Sequence, residues 1–142
     1  MEIETIDEKN YKIAYNFLKT VPSVNKIDDN ILKNGVIVVD NNRVIGSISF
    51  EIYDHIGLIR YFVFKKNIEN IYLIKLLEEL EKNAKKLEIE KLLCVADNVE
   101  IEELFKELGF IKVKKQIYLN EERINSTNFT SSNFLMKNIS CI

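Results

Sequence analysis

Side chains able to do acid–base chemistry gather in one short stretch of this chain. Glu51, Tyr53, Asp54 and His55 lie within five residues, and His55 is the only histidine. A carboxylate and an imidazole so placed are candidates for taking a proton from a nucleophile, since imidazole changes charge near neutral pH. A lone histidine beside Gly57 also reads as an ordinary turn residue. Asp97, at the end of an apolar run, is a second carboxylate candidate; capping a following helix is its competing role. Arg60 interrupts the run Leu58–Phe64. Its guanidinium either grips a carboxylate or phosphate or pairs with Glu51. Lys65 and Lys66 come next, as phosphate attractors or as plain surface lysines. Cys94 and Cys141 form no CxxC pair and read as inert thiols of a reducing compartment. No metal-ligand spacing, nucleophile–His–acid set or glycine-rich nucleotide loop is present, so no metal is expected.

Periodicity shows what must hold these residues. Residues 2–6 read as a short strand. A helix follows, with Asp7 as its cap and Ile13, Ala14, Phe17 and Leu18 on one face. Pro22 closes it, and Asp28 or Asp29 opens a second, short helix. Gly35–Val39 is a β-branched run fit for a strand buried on both faces. Asn41-Asn42 tolerates positive φ and makes a hairpin turn. The strand Arg43–Tyr53 is expected to place Val44, Ile48, Phe50 and Ile52 on one face, with Ser47, Ser49 and Glu51 on the other. Asp54-His55 and Gly57 turn the chain into the strand Leu58–Phe64.

The pattern then switches to helix. Leu73, Leu76, Leu77, Leu80, Ala84 and Leu87 form an apolar stripe, and Glu78–Lys82 and Glu81–Lys85 are spaced for i,i+4 pairs on the solvent side. Leu92–Ala96 is a buried strand, and Val99–Leu108 is a helix stopped by Gly109. Ile111–Leu119 reads as a strand, 121–132 as polar loop and Phe134–Ile139 as a closing strand. The expected order is β-α-α-β-β-β-α-β-α-β-β in one domain spanning 1–142.

Composition bounds what such a domain can do. Of 142 residues, 46% are hydrophobic, enough for a real core. Twenty Lys+Arg stand against 22 Asp+Glu. That balance excludes a binder that relies on many uncompensated cations, so no nucleic-acid partner is expected. No apolar run approaches the roughly 18 residues of a membrane span, and no membrane partner is expected. The acidic, polar N-terminus is unlike a signal or transit peptide, so the expected location is cytoplasmic.

The second half of the chain resembles the GNAT superfamily of acyl-CoA-dependent N-acetyltransferases. The series Asn98…Phe105…Leu108-Gly109-Phe110 is similar to that family's Asn…Tyr…Leu-Gly-Phe run. Leu76-Leu77 with Ala84 matches the body of its long cofactor-side helix, and Phe134-Leu135-Met136-Lys137 its closing strand. The resemblance covers about residues 2 to 139. It implies an α/β fold with a mixed sheet of about six to seven strands and about four helices. It also implies transfer of an acyl group from acetyl-CoA or another acyl-CoA to the amine of a small molecule or protein, and admits a homodimer.

By motif position the resemblance places the cofactor against Phe62, Val63, Ile68, Glu69, Asn70, Ile71, Leu73 and Asn98. There the sequence departs from the family pattern. Ile68 stands at the Arg/Gln position of the phosphate loop, and Ile71 and Leu73 stand at its small-residue positions. Glu69 adds negative charge, and Asn67 or Asn70 can cap the helix end in place of phosphate. Phe105 occupies the usual Tyr position and has no proton to give. These departures lead to an expectation of weak acetyl-CoA binding or none. They keep a second reading beside the enzyme: a fold retained as a binding or regulatory module, with no cofactor.

Overall fold

The computed structural model describes residues 1–96, 98–113, 118–119, 122–123 and 133–140. In chain order the elements are β1 (Glu2–Thr5), α1 (Tyr11–Lys19), α2 (Asp29–Leu32), β2 (Val36–Asp40), β3 (Arg43–Tyr53) and β4 (Ile56–Phe64). After these come α3 (Asn70–Lys86), β5 (Lys91–Ala96), α4 (Val99–Glu107), β6 (Ile111–Lys112), β7 (Tyr118–Leu119), β8 (Glu122–Arg123) and β9 (Asn133–Asn138). Seven strands form one mixed sheet in the order β1-β2-β3-β4-β5-β9-β6, and β7 pairs with β8 apart from it. Only β4 and β5 run parallel within the large sheet. The expected class, an α/β sheet of six to seven strands with four helices, is the one observed.

Local chemistry explains the N-terminal half. Asp7 accepts the amides of Lys9 and Asn10, while the Asn10 side chain accepts the Asp7 amide, so the entry into α1 is closed reciprocally. Asp28 caps α2 by accepting the Asn30 amide at 2.8 Å. Asn41 and Asn42 both take positive φ, as the tight hairpin between β2 and β3 requires. Val36 and Val38 join the cluster under α3, and Ile37 joins the cluster under α1 and α2. Alternation along a strand therefore puts the helix layers on opposite faces of the sheet.

Several expectations change in the folded chain. Val44 lies in the α1–α2 cluster and Ile48 in the α3 cluster. The register shifts between Val38↔Gly46 and Val39↔Val44, so β3 carries an extra residue that reverses its alternation. Gly57 is a strand residue paired with Ile52 and Leu92; a Cβ there would meet Leu92 Cδ2 at 2.9 Å. Leu87 is 51% exposed. Glu88 turns the chain at φ +61°, and the Ile89 amide reaches back to the Ala84 carbonyl at 3.0 Å, so α3 ends one residue before Leu87. Glu81 pairs with Lys137 of β9 at 2.6 Å instead of with Lys85. The stretch read as one strand, Ile111–Leu119, is divided between β6 and β7, and β8 falls in what was read as loop.

Gly35 packs so closely that it yields a test. A Cβ at this position would lie 2.3 Å from Ser49 Oγ and 2.9 Å from the Leu32 carbonyl. Gly35→Ala is expected to destabilise by about 1–3 kcal/mol, the usual cost of overpacking. Ser49 Oγ is buried without a hydrogen-bond partner among the described residues. Ser49→Ala should therefore be close to neutral alone and should recover part of the loss in the double variant. Denaturant unfolding of the four proteins measures that coupling, and strictly additive effects would contradict the clash.

Candidate functional site: a cleft between two parting strands

β4 and β5 are paired only through Ile56–Leu58 and Lys91–Leu93. Beyond that point they separate, and a cleft of about 660 Å³ opens between them. A bulge in β4 accounts for the parting. Ser47 pairs with Val63 and Ser49 with Arg60, so Ile48 alone faces both Tyr61 and Phe62. The extra residue bends the strand and increases its local twist.

Tyr61 sits at φ +53°, a left-handed conformation costing an L-residue about 1–2 kcal/mol. Its surroundings hold it there. The fully buried Ser47 donates its hydroxyl to the Tyr61 carbonyl at 2.7 Å. The Tyr61 phenol accepts the Asp28 amide at 2.8 Å and donates to the Lys26 carbonyl at 3.1 Å.

The cleft has two unlike walls. One is β5 and α4, through Cys94, Val95, Asn98, Ile101 and Phe105; the other combines Arg60 to Val63 with the loop Ser23 to Lys26. Asn98 Oδ1 accepts the Ile101 amide at 2.9 Å and so caps α4. Phe105 is 1% exposed and meets Phe62 edge-on at 5.4 Å and Phe110 at 4.9 Å. At this position the chain uses an aromatic ring for packing. Gly109, at φ +98°, then lets Phe110 fold back, its amide bonded to the Phe105 carbonyl.

At the mouth of β4 stands the N-terminus of α3. Glu69 occupies the cap position, and neither it nor Asn67 nor Asn70 makes a side-chain cap. The expected asparagine cap is therefore absent. Asn70 is already the first helical residue, Asn67 lies two positions before the cap, and the cap itself is a glutamate, a poor capping type. The amides of Asn70 and Ile71 have no partner among the described residues. Leu73 is 3% exposed and packs in the α3 cluster, Ile68 packs at its margin, and Ile71 is 46% exposed. Lys65 and Lys66 are exposed just before this end.

Glu51, Tyr53, Asp54 and His55 are not among the residues that line the cleft. Glu51 Oε1 pairs with Arg60 Nη1 at 2.7 Å, the pairing role weighed for Arg60. Tyr53 and His55 lie where β4 begins, at the closed end of the strand pair. The His55 carbonyl receives the Glu90 and Lys91 amides that lead into β5. Asp97 lies outside the described residues. Among the described residues, no group of three His, Cys, Asp or Glu is placed to hold a metal, and no helix is long and apolar enough to cross a membrane. Sequence reasoning missed Ser47, Tyr61 and the loop Ser23–Lys26. A bulge leaves no mark in an apolar run, and the loop showed only turn composition.

No protein-family model matches the sequence, and no curated protein does. Solved structures do match. A GNAT-family acetyltransferase from Staphylococcus aureus Mu50 superimposes at TM-score 0.70 and 14% identity, over 98% of this chain and 99% of that one. An aminoglycoside 6'-acetyltransferase of type Ii gives TM-score 0.71 and 16% identity over 100% and 99%. N-acetylglutamate synthase from Neisseria gonorrhoeae, solved with coenzyme A and N-acetyl-glutamate, gives TM-score 0.75 and 15% identity. The match covers 98% of this chain and 35% of that enzyme. The parallel pair that parts, the long helix between its strands and the closing antiparallel strand together make this the fold of the GNAT acetyltransferases.

Proposed function

We propose that the protein, acting as a single unit over 1–142, is an acyl-CoA-dependent N-acyltransferase whose cofactor contacts come mainly from backbone. The observation that carries this reading is the open cleft along β4, the strand from which the chain runs on into the uncapped end of α3. Free amides at a helix N-terminus attract phosphate through hydrogen bonds and the helix dipole. Asn70 and Ile71 offer such amides, and the Ile71 side chain is exposed at the surface. Leu73, whose size argued against phosphate, is packed in the core. Lys65 and Lys66 add positive charge nearby. The ladder groups of β4 beyond Leu58 that face β5 are left without a strand partner there and are available to an extended ligand arm; Phe62 and Val63 lie on this stretch and line the cleft. When bound, acyl-CoA supplies a thioester whose acyl carbon is open to attack by an amine.

Isothermal titration with acetyl-CoA tests the reading. A dissociation constant of tens of micromolar is expected, about −6 kcal/mol. A second reading, a cofactor-free binding module, draws on Phe105, which is buried and has no proton to donate. A folded protein that gives no heat at millimolar acetyl-CoA would select the second reading.

A further inference from the structure

We propose that Tyr61 is a positioning residue that latches the loop wall of the cleft, and so governs admission of the acceptor amine separately from binding of acyl-CoA. The assignment of that wall to the acceptor rests on the function proposed above; the latch itself does not.

The loop between α1 and α2 is held to the sheet by the packing of Val24 and Ile27 against the α1–α2 cluster and by few hydrogen bonds. In its first part the Val21 amide donates to the Leu18 carbonyl of α1, and the Val24 amide donates to the Val21 carbonyl. From Asn25 to Asp28, the hydrogen bonds that reach the sheet are the two made by the Tyr61 hydroxyl. Both go to backbone, the amide of Asp28 and the carbonyl of Lys26, so they fix the path of the loop whatever its side chains. Ser23 to Lys26 line the cleft. The position of this wall, and with it the width of the cleft on this side, is therefore set by one phenol together with the packing of Val24 and Ile27.

The bulge is what delivers that phenol. With regular alternation Arg60 and Tyr61 would point to opposite faces. The extra residue puts both on the α1–α2 side, with the guanidinium carbon 5.6 Å from the ring centroid. Ser47 holds the bulge carbonyl from beneath, and Glu51 holds Arg60. A strained backbone residue persists only where its neighbours over-determine it, and such residues cluster at ligand clamps. The hydroxyl proton is also engaged by Lys26, so in this arrangement Tyr61 serves as a latch and not as a proton donor to the cleft. The phosphate contacts proposed above are at the α3 end, and the loop residues 23–26 line the cleft instead.

Tyr61→Phe keeps the ring and deletes the latch. Amide hydrogen exchange read by NMR is expected to quicken at least about tenfold at Asp28, whose amide the phenol accepts, with the exchange of β2 and α3 unchanged. Acetyl-CoA affinity by calorimetry should stay within about twofold. With an amine found by thiol release from acetyl-CoA, the acceptor KM should rise about tenfold and the acetyl-CoA KM should not. Unchanged exchange at Asp28 overturns the latch, and equal losses for acetyl-CoA and acceptor overturn the acceptor-side assignment. Should the variant not fold, the wild type still decides: an Asp28 amide exchanging at the unstructured rate refutes the latch. Failure of the wild type to bind acetyl-CoA would remove the proposed function, while the exchange result continues to judge the latch.

Discussion

Leu77→Ala is expected to lower the unfolding free energy by about 2–5 kcal/mol, the range for truncating a buried leucine. Leu77 is 3% exposed and packs with Leu73, Leu76, Leu80 and Ala84 in the cluster that joins α3 to the sheet. Removing its branch leaves a void bounded by neighbours that cannot all move inward. Leu87→Ala belongs to the same sequence stripe but sits just past the end of α3, 51% exposed, and should change stability by no more than about 0.5 kcal/mol. Chemical denaturation of the two variants checks both values. Similar losses at both positions would mean that α3 continues through Leu87 and packs along its whole stripe.

That contrast shows which parts of the molecule were legible in the sequence. The body of α3 was, because a stripe repeated over several turns averages out local exceptions. Its end was not. Glu88 takes a left-handed turn without being glycine or asparagine, so composition gave no stop signal there, whereas Gly109 announced the end of α4. Strand faces were readable only up to the first bulge. Val44 and Ile48 share a face under strict alternation and separate once β3 carries an extra residue. The same device in β4 creates the cleft, and there the sequence is an unbroken apolar run around Arg60. For that reason the sequence shows the cleft only in part: the family resemblance pointed to Phe62, Val63 and Asn98, which line it, while Ser47 and Tyr61 at the bulge carry no local signature. Asparagine capping failed as an expectation because boundaries shift by a residue or two, and one residue decides which side chain is the cap.

Asn70→Pro is expected to weaken acetyl-CoA binding about 10- to 100-fold with little change in stability. Asn70 is the first residue of α3, the position at which proline is best tolerated, since its fixed φ suits a helix and the amide it removes is not used by the helix. The residue before a proline must be extended, and Glu69 already has φ −74° and ψ 142°. The substitution thus deletes one backbone donor and asks nothing else of the fold. If that donor meets a phosphate, the loss is a hydrogen bond to a charged group, about 1.5–3 kcal/mol, which corresponds to the stated factor. Asn70→Ala, which keeps the amide and drops the side chain, should bind as the wild type does. Ile71→Gly should bind equally or more tightly, because it clears the one exposed branched side chain beside these amides. Calorimetry on the three variants, with thermal unfolding beside it, separates the outcomes. Wild-type affinity in Asn70→Pro would place the pyrophosphate away from this helix end, and a loss in Asn70→Ala equal to that in Asn70→Pro would assign the contact to the side chain.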